Sequence, residues 1–380
     1  LRKIEVSDLV VGDVLDRGVY APDFQLVLIR GARVTPEDKH RLVMREFPYL
    51  ITAATAGVAA PAEVPVDMDA IKADLAEKRG DLLNLASVKQ ALSSETYAQA
   101  EEILSAFYGQ ERPQGAKAFR DLEELASVIV SEVTSKAVAA YKEPSAEDVN
   151  DYLARHSVHV AVLIILTMRG EARDVSALQK IALAALVHNV GMTLVPRDVV
   201  AKRGPLTREE FAIVKHHPIQ SAAMVSERWD VPEHLVTMIE AHHERVDGLG
   251  YPHGLREGEV SRLALTLSAC DIFDALASTR PYRERLPLPS ASLALIEEGV
   301  SSFGLRTLNQ FVRAIGIYPV GSTVVLDGGD AAVVVDPGRD DLTRPVVCVV
   351  LDRNRRWLDP PQRIDLASDA HRRIIGTIDL

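Results

Sequence analysis

The run His242-His243-Glu244-Arg245-Val246-Asp247-Gly248-Leu249-Gly250-Tyr251-Pro252-His253-Gly254 constrains this chain more than any other stretch. A helical pattern is readable up to His243, and the glycines and the proline that follow then break it, so the paired imidazoles are expected at a helix end facing a shaped loop. A single histidine is usually a polar residue that found a partner. Clustering changes that reading: nine of the eleven histidines fall between His156 and His253, with only His40 and His371 outside. A histidine-rich metal site is therefore expected within that segment.

The 380 residues exceed one small domain and suffice for a large core. A formal charge of −11 argues against DNA or RNA polymers as partners, while leaving room for a small phosphate ligand held by a local cluster of cations. The two cysteines, Cys270 and Cys348, have neither the number nor the spacing of a disulfide framework or a cysteine zinc site, so a reducing cytoplasm is expected. The chain lacks a run of about 18 apolar residues, and its first residues, Leu1-Arg2-Lys3-Ile4-Glu5, lack the apolar segment of a signal peptide. Neither membrane insertion nor secretion is expected.

Along the chain, residues 1–55 alternate short apolar runs with turn signals at Gly12-Asp13 and Gly31, predicting a small α+β module with a helix near Pro36–Phe47. Residues 56–142 open on a linker rich in Ala, Pro and Gly and continue as connecting helices that offer a homodimer contact. Residues 143–317 are helical in period, and Leu178–Val187 is apolar enough to be a central buried helix ending on His188-Asn189. From 318 to 380, β-branched runs separated by Asp327-Gly328-Gly329-Asp330 and Asp336-Pro337-Gly338 predict an antiparallel β module with a docking or lid role. The fold class is thus mainly α, a helical domain flanked by a small α+β module and a β module.

Several spaced motifs occur in order: Tyr152-Leu153-Ala154-Arg155-His156-Ser157, His188-Asn189-Val190-Gly191-Met192, Lys202-Arg203-Gly204-Pro205-Leu206-Thr207, His217-Pro218, the opening stretch, and Asp271-Ile272-Phe273-Asp274-Ala275-Leu276 with Arg280-Pro281-Tyr282-Arg283. Together they resemble the HD-GYP domain, the helical metal-dependent phosphodiesterase of bacterial cyclic di-GMP signalling. The resemblance implies metal ligands at His156, His188, His217, His242, His243 and Asp271, with one ion on His156, His188 and Asp271 and the other on His217, His242 and His243. It implies one or two divalent ions, iron or manganese ahead of zinc. It also implies phosphate contacts from Arg280 and Arg283, and contact with guanine or a partner protein from Gly250-Tyr251-Pro252. Glu244 and Asp247 are expected to orient the histidines as hydrogen-bond acceptors. Asp274 reads first as a helix-surface carboxylate, with support of the ligands from behind as the alternative, and His159, His216, His234 and His253 match no ligand position. Tyr152 stands where members with a third metal carry Glu, so a three-metal site is not expected.

Two departures from the family pattern bear on chemistry. Asn189 stands where the family has an Asp that bridges the metals. Two divalent ions about 3.5–4 Å apart repel by roughly 18 kcal/mol at an effective dielectric of about 20, and an amide supplies no charge to offset it. Met192 stands where the family has a Lys, and a thioether neither donates a hydrogen bond nor stabilises developing negative charge. A weakened pair of ions, or a single ion near His156, His188 and Asp271, is therefore expected. Two functions remain: slow hydrolysis of cyclic di-GMP to the linear dinucleotide pGpG and GMP, or a non-catalytic module that binds cyclic di-GMP or a signalling partner such as a diguanylate cyclase.

Overall fold

A computed structural model describes residues 2–13, 15, 19–20, 26–28, 33–44, 50–52, 66–86, 90–109, 116–136, 149–202, 204–279, 285–338 and 341–379. The chain divides into two units. One comprises Leu1–Lys89, Leu288–Glu297 and Val312–Leu380, and the other Gln90–Pro287 and Glu298–Phe311.

The first unit begins with strands β1 (Arg2–Ile4), β2 (Val19–Tyr20) and β3 (Leu26–Leu28), helix α1 (Pro36–Met44) and strand β4 (Leu50–Thr52). The strands form an antiparallel sheet in the order β1-β4-β2-β3, with Ile4 opposite Leu50. Leu9, Val19, Leu28, Val34, Leu42 and Leu50 form its core. Helices α2 (Met68–Glu77) and α3 (Leu82–Leu85) follow. Sequence periodicity groups them with the connecting helices. In the structure, Ile71, Leu75 and Leu82 instead cover one face of the C-terminal sheet, against Val325, Val333 and Val350. An amphipathic stripe states that a helix must be covered but does not name the partner.

The helical unit contains α4 (Ser94–Tyr108), α5 (Ala116–Thr134), α6 (Val149–Met168), α7 (Val175–Val187), α8 (Arg197–Val200), α9 (Arg208–Val214), α10 (His217–Arg228), α11 (Glu233–Glu240) and α12 (Arg262–Ala277). Polar residues set where several of these start: Asp174 caps α7, Ser261 caps α12, and Thr207 forms a reciprocal capping box with Glu210 on α9. Helix α6 packs against α4, α7 and α12, and α5 packs on α7. Every residue from Ile181 to Val187 is buried, as an apolar run without a polar face requires. Among the described residues, one helical stretch, Val175–Leu194, is long and apolar enough to cross a membrane, and 67% of it is buried inside the fold.

Close packing at Gly191 sets the shape of the site. A Cβ there would stand 2.3 Å from the His217 carbonyl oxygen and 2.8 Å from the Ser221 amide nitrogen, so only glycine lets the turn after α7 lie against the start of α10. The Gly191 amide donates to Ser221 Oγ at 2.8 Å. This contact brings the His188 end of α7 alongside His217.

Helix α13 (Leu288–Ile315) contributes to both units and is interrupted at Gly304, whose φ is 74°. Strands β5 (Thr323–Leu326), β6 (Ala331–Asp336), β7 (Val346–Leu351), β8 (Trp357–Asp365) and β9 (Ile374–Ile378) then form an antiparallel sheet in the order β8-β7-β6-β5-β9. Alternate residues face opposite ways. Val325 and Val333 meet the helices, while Val324, Leu326, Val334 and Val347 form a second cluster.

Candidate metal centre

Five helices bring their ends or inner faces to one place. His156 lies on α6, His188 ends α7, His217 opens α10, His242 and His243 follow α11, and Asp271 lies on α12. The rings pack in sequence: His156 to His188 at 5.5 Å between centroids, His188 to His242 at 5.0 Å, His242 to His217 at 5.2 Å, and His243 4.1 Å from His242 and 5.1 Å from His217. His156, His188, His217, His242 and Asp271 are buried, and His243 is half-buried. Two groups result, His156 with His188 and Asp271, and His217 with His242 and His243, with ligand atoms inside each group within 4.8 Å of one another.

Backbone carbonyls fix three of the rings. His188 Nδ1 donates to the Ala185 oxygen at 2.7 Å, His217 Nδ1 to Val214 at 2.7 Å and His242 Nδ1 to Ile239 at 2.6 Å, each reaching back three residues. With Nδ1 holding the proton, Nε2 carries a lone pair. Burial first, and then the neighbouring His243, push His217 down to about 3. The same two causes hold His242 well below the ordinary imidazole range. Two neutral rings therefore point lone pairs at each other, His217 Nε2 lying 3.3 Å from His242 Nε2. A cation that accepts both resolves that arrangement, so the residues fit a metal ion.

In the other group, carboxylates hold His156. His156 Nε2 lies 2.8 Å from Asp271 Oδ1 and His156 Nδ1 lies 2.6 Å from Asp274 Oδ2. Burial opposes a charged His156 ring, but the two carboxylates outweigh it and raise the imidazole to about 9. Burial also works against an ionised Asp271, yet hydrogen bonding from His156 holds it well below the usual carboxylate range. Asp271 stands between the groups: Oδ1 is 3.8 Å from His188 Nε2, and Oδ2 is 3.8 Å from His243 Nδ1.

Residues 142–304 match the HD domain family. The chain is 34% identical to the cyclic di-GMP phosphodiesterase PA4108 of Pseudomonas aeruginosa over 60% of its own length and 55% of that protein. It is 36% identical to the 3'3'-cGAMP-specific phosphodiesterase 3 of Vibrio cholerae, over 39% of this chain and 32% of that one. The chain thus spans about half or less of the length of these curated relatives. A solved HDG"Y"P protein of Bdellovibrio bacteriovorus, Bd1817, is 19% identical, with a TM-score of 0.48 over 82% of this chain and 97% of that one. Residues 142–304 belong to the HD domain family.

Within the HD domain, Asn189 is buried beside the His156, His188 and Asp271 group, and its amide nitrogen donates to His188 Nε2 at 2.8 Å. Because His188 Nδ1 already holds a proton, Nε2 is an acceptor and the amide presents its NH₂ to it. Met192 is half-buried on the turn after α7, and its amide donates to the Asn189 carbonyl at 2.9 Å.

Glu244 and Asp247, expected to orient the histidines, have different hydrogen-bond partners. The fully buried Glu244 carboxylate accepts from the amides of His253, Gly254 and Leu255 at 2.5, 3.1 and 2.9 Å. Asp247 pairs with Arg245 at 2.6 Å and accepts from the Leu249 amide at 3.0 Å. Both carboxylates shape the Gly-Tyr-Pro loop, because a tight turn leaves amides that need acceptors. Gly250 has no room for a side chain, since a Cβ would stand 2.4 Å from the Arg245 amide nitrogen. Tyr251, joined to Pro252 by a cis peptide, stacks on His243 at 4.7 Å. Phe211 meets the Tyr251 ring edge-on at 6.1 Å, and Lys215 Nζ lies over the Phe211 and Tyr251 rings at 4.8 and 5.6 Å. Arg280 and Arg283 lie outside the described residues.

For Asp274 the structure favours the alternative reading over the first. This carboxylate is fully buried rather than on a helix surface, and it accepts from His156, from His159 Nδ1 at 3.1 Å and from Ser278 Oγ at 3.1 Å. His159 is likewise buried, and its Nε2 lies 2.5 Å from the Tyr97 hydroxyl. A sequence signal existed: His159 follows His156 by three residues and Asp274 follows Asp271 by three, the spacing that puts side chains on one helix face. His216 and His234 are exposed, and the exposed His253 pairs with Glu240 at 2.8 Å.

Proposed function

We propose that this chain is a metal-dependent phosphodiesterase of cyclic dinucleotides, with cyclic di-GMP as substrate, and that Asn189 and Met192 slow its turnover. The observation that carries the reading is the pair of facing Nε2 atoms of His217 and His242, 3.3 Å apart, beside a second group of His156, His188 and Asp271. The activities named for the two curated relatives support the substrate class.

His217, His242 and His243 would hold one ion, and His156, His188 and Asp271 the other. Iron or manganese suits this mixture of imidazole and carboxylate ahead of zinc. When bound, such ions supply a Lewis acid and a lowered pKa for attacking water. The chain's own residues arrange the rest. Backbone-fixed imidazoles present Nε2 without rearrangement, and Tyr251 walls the His243 side of the centre. Gly250 holds that loop close, and Arg280 and Arg283 are assigned to the phosphates by guanidinium hydrogen bonding. Asn189 offers a neutral carbonyl where an anion would hold two ions together, and Met192 brings no charge to the phosphate.

A specific observation also favours a second reading, a non-catalytic sensor or partner module. The Asn189 amide hydrogen-bonds to the His188 nitrogen that a metal would take, at 2.8 Å. The adjoining loop exposes Leu249, 78% accessible, as an apolar tip for a signalling partner such as a diguanylate cyclase. The test is metal content and turnover of cyclic di-GMP and 3'3'-cGAMP, for the unmodified chain beside an Asn189→Asp, Met192→Lys double variant. We expect slow hydrolysis by the unmodified chain and a rate about 100-fold or more higher in the variant. Equal rates would remove the assigned roles of Asn189 and Met192. Binding without hydrolysis in both proteins would select the sensor reading.

A further inference from the structure

Among the ring braces described above, that of His156 is unlike those of His188, His217 and His242. Those three rings donate Nδ1–H to a carbonyl in their own turn, so each brace is made within four residues of chain. His156 instead donates Nδ1–H to the side chain of Asp274, 118 residues away. Asp274 is itself fully buried and ionised, so its lone pairs must be met by donors, and His156, His159 and Ser278 supply them. With the His159 Nδ1 proton committed to Asp274, Nε2 is left facing the Tyr97 hydroxyl on α4. A buried hydrogen-bonded path thus runs from α4 through His159 and Asp274 to His156. Helix α4 (Ser94–Tyr108) lies before the matched segment 142–304. It is tied to α6 a second time by Arg155 Nε and Glu101 Oε1 at 2.7 Å.

We propose that Tyr97, His159 and Asp274 are positioning residues for His156, and that α4, outside the matched HD domain, thereby sets how tightly the His156, His188 and Asp271 group holds its metal. The inference rests on the metal-centre reading given under Proposed function. Two requirements make the path directional. A ligating imidazole must present one nitrogen and keep its ring plane, and the partner of its other nitrogen enforces both. Removing the Tyr97 oxygen leaves a buried imidazole nitrogen without that partner, and the ring then re-forms its contacts by turning away from Asp274. Asp274 would pass that change to His156, because one carboxylate serves both rings.

The experiment uses the full chain, unmodified and as Tyr97→Phe, Asp274→Asn and Tyr108→Phe. Tyr108 is the control. Its buried hydroxyl, also on α4, meets Ser157 Oγ at 2.8 Å and the Leu186 carbonyl at 2.9 Å, so its loss loosens the same helix without touching the path. Two quantities are read: the affinity of each site for Mn²⁺ alone, and the downfield Nδ1–H resonance of His156 in metal-free protein, assigned by its loss in His156→Gln. We expect Asp274→Asn to weaken one Mn²⁺ site by about 10–100-fold and Tyr97→Phe to weaken the same site by about 3–10-fold. Both should displace the His156 resonance, and Tyr108→Phe should change neither quantity. An unchanged resonance in Tyr97→Phe, or equal effects of Tyr97→Phe and Tyr108→Phe, would overturn the proposal. If the unmodified chain bound no Mn²⁺, the function proposed above would fail. The resonance in metal-free protein would still decide this inference, a displacement in Tyr97→Phe supporting it and its absence rejecting it.

Discussion

The His217, His242 and His243 group and the His156, His188 and Asp271 group sit side by side but are held in place differently. In the first, His217 and His242 are anchored by carbonyls of their own helical turns and stay neutral because burial and neighbouring imidazoles disfavour a charge. In the second, His156 has a carboxylate at each nitrogen and holds a proton firmly. A centre braced by backbone survives substitution around it, because no side chain carries the brace. A centre braced by buried carboxylates depends on residues drawn from several helices, and any one of them can be lost. Asn189, the neutral residue proposed to slow turnover, lies beside the second group, the one that relies on charge.

The largest expected effect tests whether the groups are separate. His242→Ala should remove one of two bound ions and leave the other, and His156→Ala should remove the complementary one, as read by metal analysis after dialysis against Mn²⁺. Loss of both ions from either variant would merge the groups into one cooperative site.

Glu244→Ala comes next, because it strips the acceptor from three loop amides. It should cost about 3 kcal/mol of stability in urea unfolding. Through the Tyr251 stack on His243, it should weaken only the backbone-braced site. An equal effect on both sites would show that the loop supports the whole centre.

The dependence on pH sharpens the contrast without a mutation. In metal-free protein the His156 imidazole is raised from 6.5 to about 9, so the stabilisation it brings is complete below pH 6.5 and is lost as pH rises through about 9. A metal at this site must displace that proton. Its apparent affinity should therefore climb by about tenfold per unit as pH rises towards 9, with close to one proton released per ion. His217 and His242 are neutral throughout that range, so the other site should vary far less. Titration calorimetry in buffers of different ionisation enthalpy measures the protons released, and parallel pH profiles for the two sites would contradict the contrast. The smallest effect belongs to Ser278→Ala, which removes one of three donors to Asp274. It should cost about 1 kcal/mol, with a change in Mn²⁺ affinity confined to the carboxylate-braced site.

The candidate metal-binding residues were named through short motifs that resemble a known family, and those motifs are local. Histidines at the ends of apolar helices, and a loop of Gly and Pro after His243, fit within windows of a few residues. Asp274 was not legible in the same way. Helix α12 is buried nearly all round, with Leu265, Leu267, Ala269, Cys270 and Phe273 in the core, so its apolar pattern marks no outer face on which a carboxylate is exposed. Glu244 and Asp247 were assigned to rings because they neighbour histidines in sequence, whereas the loop folds back and brings amides nine to eleven residues further on to the Glu244 oxygens. The pairing of α2 and α3 with the C-terminal sheet, joined also by Arg355 Nε and Asp74 Oδ2 at 2.5 Å, links segments 281 residues apart and leaves no local trace.

The amino-acid order alone marked the cluster of histidines as a candidate metal site and set Asn189 and Met192 apart from the family pattern, since each depends on residue chemistry over a few positions. Tertiary structure decided that Asp271 stands between both groups, that Asp274 braces His156 and that α4 reaches it through Tyr97. Those contacts join residues from separate helices, and periodicity within one helix carries no information about which neighbour will cover it.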